Sequence, residues 1–321
     1  MLVSYVSGYC WTVEKQLRFT IPFLLIWLAP VRLCPVYVIS KNAHSTPSSI
    51  FTSQDIENTE TLFSEVNYEA TVPFPNNTGI ISSSNFVANE FSKFKCQFIF
   101  VGAVDEHVQI SFQKFNLFLW KNLGDNISSI RCEEKDHVST HVLVGSRMSK
   151  ISDFCGSEMP PQLMSARNIL TIEYFIKSAN SREPKPDDDY GFTLEYRFLP
   201  DYSSLMPPEA LRVPNRKCGL IFNGTIQTSG NLWSVNYPGF YPRDLDCEYV
   251  FNGRDSQIVL IHFEYFDVEG FGQCEESTHS DYILFSNYRT TDRTNRRYCG
   301  NQRPPKAIAS ESNYFRMIFL Y

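Results

Sequence analysis

The sequence predicts an all-β chain of two tandem antiparallel β-sandwiches, the second truncated at its C-terminal end. Three observations carry this. Shifting the chain by 151 residues aligns Gly79–Phe118 with Gly230–Glu269 without a gap, giving ten identities in forty positions. Inside that match Val108, Ile110 and Phe112 align with Val259, Ile261 and Phe263, apolar at every second residue as one face of a strand requires. The strand-like runs are short and separated by Gly, Pro, Asn and Asp clusters, and no helical period follows the N-terminal apolar run.

The elements follow in chain order. Lys15 and Arg18 precede the apolar run of "FTIPFLLIWLA", and Pro30 and Arg32 interrupt it before the ~20 residues that a bilayer span needs. Residues 1–40 are therefore expected to be a secretory signal, whose cleavage near residue 40 would remove Cys10 and Cys34. Residues 41–66, rich in Ser, Thr and Asn, read as a loose leader. The first repeat copy spans 67–199. The proline-rich "PDYSSLMPPEALRVPNRK" at 200–217 reads as a linker, and the second copy runs from 218 to 321. In the first copy "FCGSEMPP" and "NILTIEYF" answer "YCGNQRPP" and "NYFRMIFL" of the second. The first copy continues through "DDDYGFTLEYRF", a strand pair with no counterpart before Tyr321, so the sequence is expected to be a fragment of a longer chain.

Composition excludes some functions. With 43% hydrophobic and 15% aromatic residues the chain can build real cores, and a net charge of -6 with no Lys/Arg run argues against a nucleic-acid partner. Three N-x-S/T sequons, at Asn76, Asn126 and Asn223, become glycosylation acceptors in the secretory pathway. Seven cysteines lie beyond residue 40 with no C-x-x-C among them, which favours disulfides over a zinc cage. Arithmetic alone leaves three pairings open for the four cysteines of the second copy. No H-E-x-x-H, G-x-S-x-G or phosphate-cradling glycine loop appears, so no enzyme is expected.

The second copy carries Cys218, "NYPGFYPRDLDC" ending at Cys247, "F-x-x-F-D-x-E" ending at Glu269, then Cys274 and "YCG" at Cys299. It resembles the CUB domain, an extracellular, jelly-roll-like β-sandwich. The resemblance implies the disulfides Cys218–Cys247 and Cys274–Cys299, and in the degenerate first copy Cys132–Cys155, worth about 2–4 kcal/mol. The 151-residue offset puts Asn67 opposite Cys218, which leaves Cys96 without a partner and expected to be a buried free thiol.

Family resemblance also implies calcium ligation in the second domain only, through Glu269 and Asp281, since Ca²⁺ takes six to eight hard oxygens. Asp281 lies farther past the third cysteine than the family usually has it, and a third ligand would fall beyond Tyr321. The competing reading is a solvated acidic loop. In the first copy Phe118 stands in place of the glutamate and only Asp136 survives, so no calcium is expected there. His137 and His141 have the spacing of a neutral surface pair on one strand face rather than of zinc ligands.

"NYPGFYPRD", "YFDVEG" and "SDYILFSNY" resemble the invertebrate suppressor of lurcher type of tandem CUB protein, an auxiliary of ionotropic glutamate receptors. The implied function is a non-catalytic extracellular module, secreted or part of a membrane-anchored protein, that binds the ectodomain of a membrane protein such as an ionotropic neurotransmitter receptor. The alternative is the regulatory CUB region of a tolloid-like extracellular metalloprotease.

Overall fold

The computed structural model describes residues 32–40, 69–73, 77–83, 94–117, 131–177, 190–202, 205, 207, 210–270, 274, 278, 280–289 and 296–320. The apolar run before residue 32, Phe118, and the sequons at Asn76 and Asn126 lie outside them. The chain divides into two compact units, one of residues up to 162 together with 167–198, the other of 163–166 together with 199–321.

The first unit's two sheets are built from β1 (Arg32–Ser40), β2 (Glu69–Pro73), β3 (Thr78–Ser82), β4 (Phe94–Val101), β5 (His107–Asn116), β6 (His137–Val144), β7 (Arg147–Cys155), β8 (Leu163–Met164), β9 (Ile169–Ile176) and β10 (Gly191–Leu199). They make a six-stranded sheet, β2-β1-β4-β9-β6-β7, and a four-stranded sheet, β3-β10-β5-β8. The expected alternation is what fills its core. Val108 and Ile110 of β5, Leu170 and Ile172 of β9, and Leu194 and Tyr196 of β10 are all fully buried. Burying such a side chain contributes on the order of 1.5–3 kcal/mol. Phe192 stands edge-on to Phe112 at 6.0 Å and to Tyr174 at 5.1 Å, an arrangement aromatic quadrupoles favour. Gly79 is dictated by this packing, because a Cβ there would run into the Tyr196 ring.

The second unit contains β11 (Leu211–Arg212), β12 (Cys218–Asn223), β13 (Asp246–Asn252), β14 (Leu260–His262), β15 (Tyr282–Ser286), β16 (Arg297–Tyr298), β17 (Ala307–Ala309) and β18 (Tyr314–Leu320). Its six-stranded sheet runs β11-β12-β13-β18-β15-β16, and β14 pairs with β17. Tyr249, Ile283, Phe285, Phe315, Met317 and Phe319 form the core, with Phe285 stacked on Phe315 at 5.5 Å. The expected apolar face of Val259, Ile261 and Phe263 packs partly buried against it, while Leu260 between them is 54% exposed.

Three expectations change. The pairing is not wholly antiparallel: β1 runs parallel to β2 and β4, and β12 parallel to β13. Long connections, unlike hairpins, return a strand in the same direction. Residues 32–40, placed by sequence at the end of the signal, form a strand in which Tyr37, Val38 and Ile39 are buried. The stretch read as a linker is tied to the second unit. Tyr202 is 1% exposed within its core, the Trp233 indole N–H donates to the Leu205 carbonyl at 3.0 Å, and β11 pairs with β12.

Candidate functional site

The acidic stretch after Phe266 is sorted by its surroundings. Asp267 accepts a hydrogen bond from the exposed Tyr265 hydroxyl at 3.1 Å. Glu275 and Glu276 lie outside the described residues. Glu269 and Asp281 are brought together by a third residue, Tyr241. Its hydroxyl donates to Asp281 Oδ2 at 2.8 Å and accepts the Glu269 backbone N–H at 2.9 Å.

Each partner is held in place. Tyr241 closes the loop "NYPGFYPRD", where Asn236 and Asp244 adopt positive φ and the Asn236 amide donates to the Phe240 carbonyl at 2.7 Å. The Tyr241 ring packs edge-on against Phe319 of β18 at 5.3 Å, which anchors the hydroxyl from below. Glu269 sits between buried Val268 and Gly270, and a Cβ on Gly270 would meet Cys299 Sγ at 2.6 Å. The Gly300 N–H donates to the Val268 carbonyl at 2.8 Å, so the Cys274–Cys299 disulfide and its YCG turn fix the backbone that presents Glu269. Asp281 directly precedes β15.

Burial, the largest influence, and the Glu269 charge raise the Asp281 carboxyl above its ordinary range, with the Tyr241 hydrogen bond and Arg243 opposing. The Tyr241 phenol is pushed upward, mainly by burial and then by Asp281, so it stays a donor. Arg243 approaches Glu269 Oε2 at 3.6 Å with both side chains substantially exposed. Two carboxylates and a phenol are hard oxygen donors of the kind Ca²⁺ takes, although Tyr241 holds Glu269 by its backbone N–H and not by its carboxylate. They supply only part of a coordination shell: among the described residues no group of three or more His, Cys, Asp or Glu could hold a metal ion.

The matching aspartate of the first unit has a different fate. Asp136 is 2% exposed; it accepts the Lys177 N–H at 2.7 Å and a hydrogen bond from the Tyr190 hydroxyl. His137 is buried, stacks on Phe175 at 4.6 Å and has Nδ1 2.8 Å from the Lys135 carbonyl. Burial lowers the His141 pKa.

Disulfides join Cys132 to Cys155, Cys218 to Cys247 and Cys274 to Cys299. The expectation of a free thiol at Cys96 is corrected: the residue is fully buried, but it is disulfide-bonded. The offset that set Asn67 opposite Cys218 misplaced the strand, since the place of β12 is taken by β1 far upstream. Asn223 ends β12, its Oδ1 accepting from the Thr225 N–H at 2.9 Å and hydroxyl at 2.7 Å. Sequence reasoning used the stretch that holds Tyr241 and Arg243 to carry the family resemblance but missed the part of both residues in the site.

A model of the CUB domain matches residues 70–196 and 218–321. Cubilin of Rattus norvegicus is 24% identical over 251 residues, covering 77% of this chain and 6% of cubilin. Dorsal-ventral patterning protein tolloid of Drosophila melanogaster is 24% identical over 247 residues, covering 70% and 22%. Procollagen C-endopeptidase enhancer 2 of Mus musculus is 29% identical over 175 residues, covering 53% and 36%. The chain thus spans a small part, from 6% to 36%, of these relatives' own length. Among solved structures, the CUB1-EGF-CUB2 domain of human MASP-1/3 matches at 18% identity and a TM-score of 0.30, covering 76% of this chain and 94% of that one. The MASP-1 CUB2 domain bound to Ca²⁺ matches at 20% identity and 0.26, covering 38% and 93%.

Proposed function

The chain belongs to the CUB domain family, and from that premise we propose that it is a non-catalytic extracellular adaptor that binds the ectodomain of a membrane protein, an ionotropic glutamate receptor being the favoured class. The observation that carries the adaptor reading is the Tyr241-bridged pair of Glu269 and Asp281 on the second domain. A calcium ion held by Glu269 and Asp281 would fix the loops and leave carboxylate oxygens for a basic side chain of the partner. The loop that supplies Tyr241 also exposes Tyr237 and Phe240, and exposed aromatics are the residues that most often anchor protein interfaces. The receptor class rests on the wording of "NYPGFYPRD", "YFDVEG" and "SDYILFSNY". The same reading makes the apolar N-terminal run a secretory signal, and Asn76, Asn126 and Asn223 glycan acceptors on a protein that is secreted or membrane-anchored at full length.

The test is co-expression of the full-length protein with ionotropic glutamate receptors, measuring co-precipitation and channel currents beside Glu269→Ala. Association with wild type that weakens in the variant and at high salt is expected, as for a charge-complementary contact. The similarity to tolloid favours a second reading, the regulatory region of an extracellular metalloprotease. No receptor association, together with proteolysis by the full-length protein, would establish that one instead.

A further inference from the structure

Cys96 is bonded, and the three disulfides above use the other six cysteines beyond residue 40. Of the nine cysteines in the chain, Cys10 and Cys34 remain. The fold distinguishes them. The two six-stranded sheets have the same order, β2-β1-β4-β9-β6-β7 and β11-β12-β13-β18-β15-β16, so β1 occupies the place of β12. In the second unit β12 runs parallel to β13 with Cys218 opposite Cys247, and that pair is bonded across a Cα–Cα distance of 4.6 Å. In the first unit β1 runs parallel to β4. Its register pairs Leu33 with Lys95 and, after an irregularity, Val36 with Gln97. Cys34 and Pro35 therefore lie opposite Cys96, while Cys10 precedes the strand altogether.

We propose that Cys34 forms the disulfide with Cys96, that Arg32–Ser40 is the first strand of the first CUB domain, and that this strand is retained in the mature protein. Paired strands lie about 4.7–4.9 Å apart, inside the 4.4–6.8 Å Cα range a disulfide spans. The family match begins only at residue 70, so the domain acquires its first strand and its missing cysteine from outside that match. A long connection, rather than the loss of a cysteine, then separates the two copies. Bond formation releases two protons and two electrons from the Cys34 and Cys96 thiols to the disulfide of a thiol oxidoreductase, which leaves as a dithiol. Any leader removed on secretion must end before Cys34.

Tryptic mapping of the secreted full-length protein without reduction tests this. The expected product links peptide 33–41 to peptide 96–114, and N-terminal sequencing should begin at or before Arg32. Cys34→Ala should expose one additional titratable thiol per chain, and only after denaturation. Cys34→Ala, Cys96→Ala and the double variant should share one melting temperature. The proposal is overturned by peptide 96–114 linked to Cys10, by Cys96 alkylated as a free thiol in wild type, or by a mature N-terminus beyond Cys34. If the variants fail to secrete, the wild-type map alone decides.

Discussion

The two domains put an aspartate at the same point, a few residues past the third cysteine of the pattern, and use it in opposite ways. Asp136 is sealed: a backbone N–H and the Tyr190 hydroxyl satisfy its carboxylate inside the first unit. Asp281 receives one tyrosine hydroxyl, from the opposite side of the sequence, and shares that tyrosine with the backbone of a second acid, Glu269. Donors around a carboxylate make a structural lock, whereas the charge of a second carboxylate raises the first one's pKa. The scaffold is common to both domains; the neighbours decide the chemistry.

The largest expected effect on that contrast comes from the disulfides that follow the third cysteine. Cys132–Cys155 and Cys274–Cys299 close loops of 23 and 25 residues, so removing either pair should cost a similar amount, about 3 kcal/mol by denaturant unfolding. Only the second removal should also disturb the environment of Tyr241, read by its fluorescence or NMR signal, because only that bond backs Gly270. Unequal stability costs, or a Tyr241 signal unmoved by the second removal, would break the comparison.

Next come the glycines that follow these cysteines. Gly156 and Gly300 both adopt positive φ, but a Cβ on Gly156 meets nothing within 4 Å, whereas one on Gly300 meets the Gly270 carbonyl oxygen at 2.5 Å. Gly156→Ala should cost about 1–2 kcal/mol for the left-handed conformation alone. Gly300→Ala should cost about 1–3 kcal/mol more through overpacking. Thermal denaturation of the two variants side by side checks the order.

The pH dependence sharpens the contrast further. A carboxyl whose folded pKa is raised stabilises the fold only while protonated. The Asp281 contribution is therefore lost as pH rises from the unfolded value of 3.8 through the higher folded value. Asp281→Asn should remove that slope and, at neutral pH without calcium, leave stability equal or higher. A steeper loss of stability in the variant over the same pH range would contradict it. The smallest effect belongs to the exposed Arg243–Glu269 pair, where Arg243→Ala should change stability by less than about 1 kcal/mol.

Much of this architecture was legible in the sequence because burial writes itself as alternation. Val108, Ile110 and Phe112 read as one strand face, and all three are buried. Arg32–Ser40 was not legible, because an apolar strand directly after a signal-like run has the same composition as the end of that run. The ungapped offset could not reach it either: Cys34 lies about 60 residues before Cys96, while Cys218 precedes Cys247 by 29. Of the candidate site, the resemblance pointed to Glu269 and Asp281. Tyr241, 28 and 40 residues from its partners, could not be seen, since its role arises from a contact across the fold rather than from local pattern.

The most direct measurement is a calcium titration of thermal stability on the full-length protein, in wild type, Glu269→Ala and Asp136→Asn. A ligand that binds only the native state adds RT ln(1 + [L]/Kd), about 2.7 kcal/mol at a hundredfold excess over Kd. The account predicts a rise in melting temperature with Ca²⁺ that Glu269→Ala abolishes and Asp136→Asn preserves. A melting temperature indifferent to calcium in wild type, or a calcium gain lost with Asp136 and kept without the Glu269 carboxylate, would contradict it.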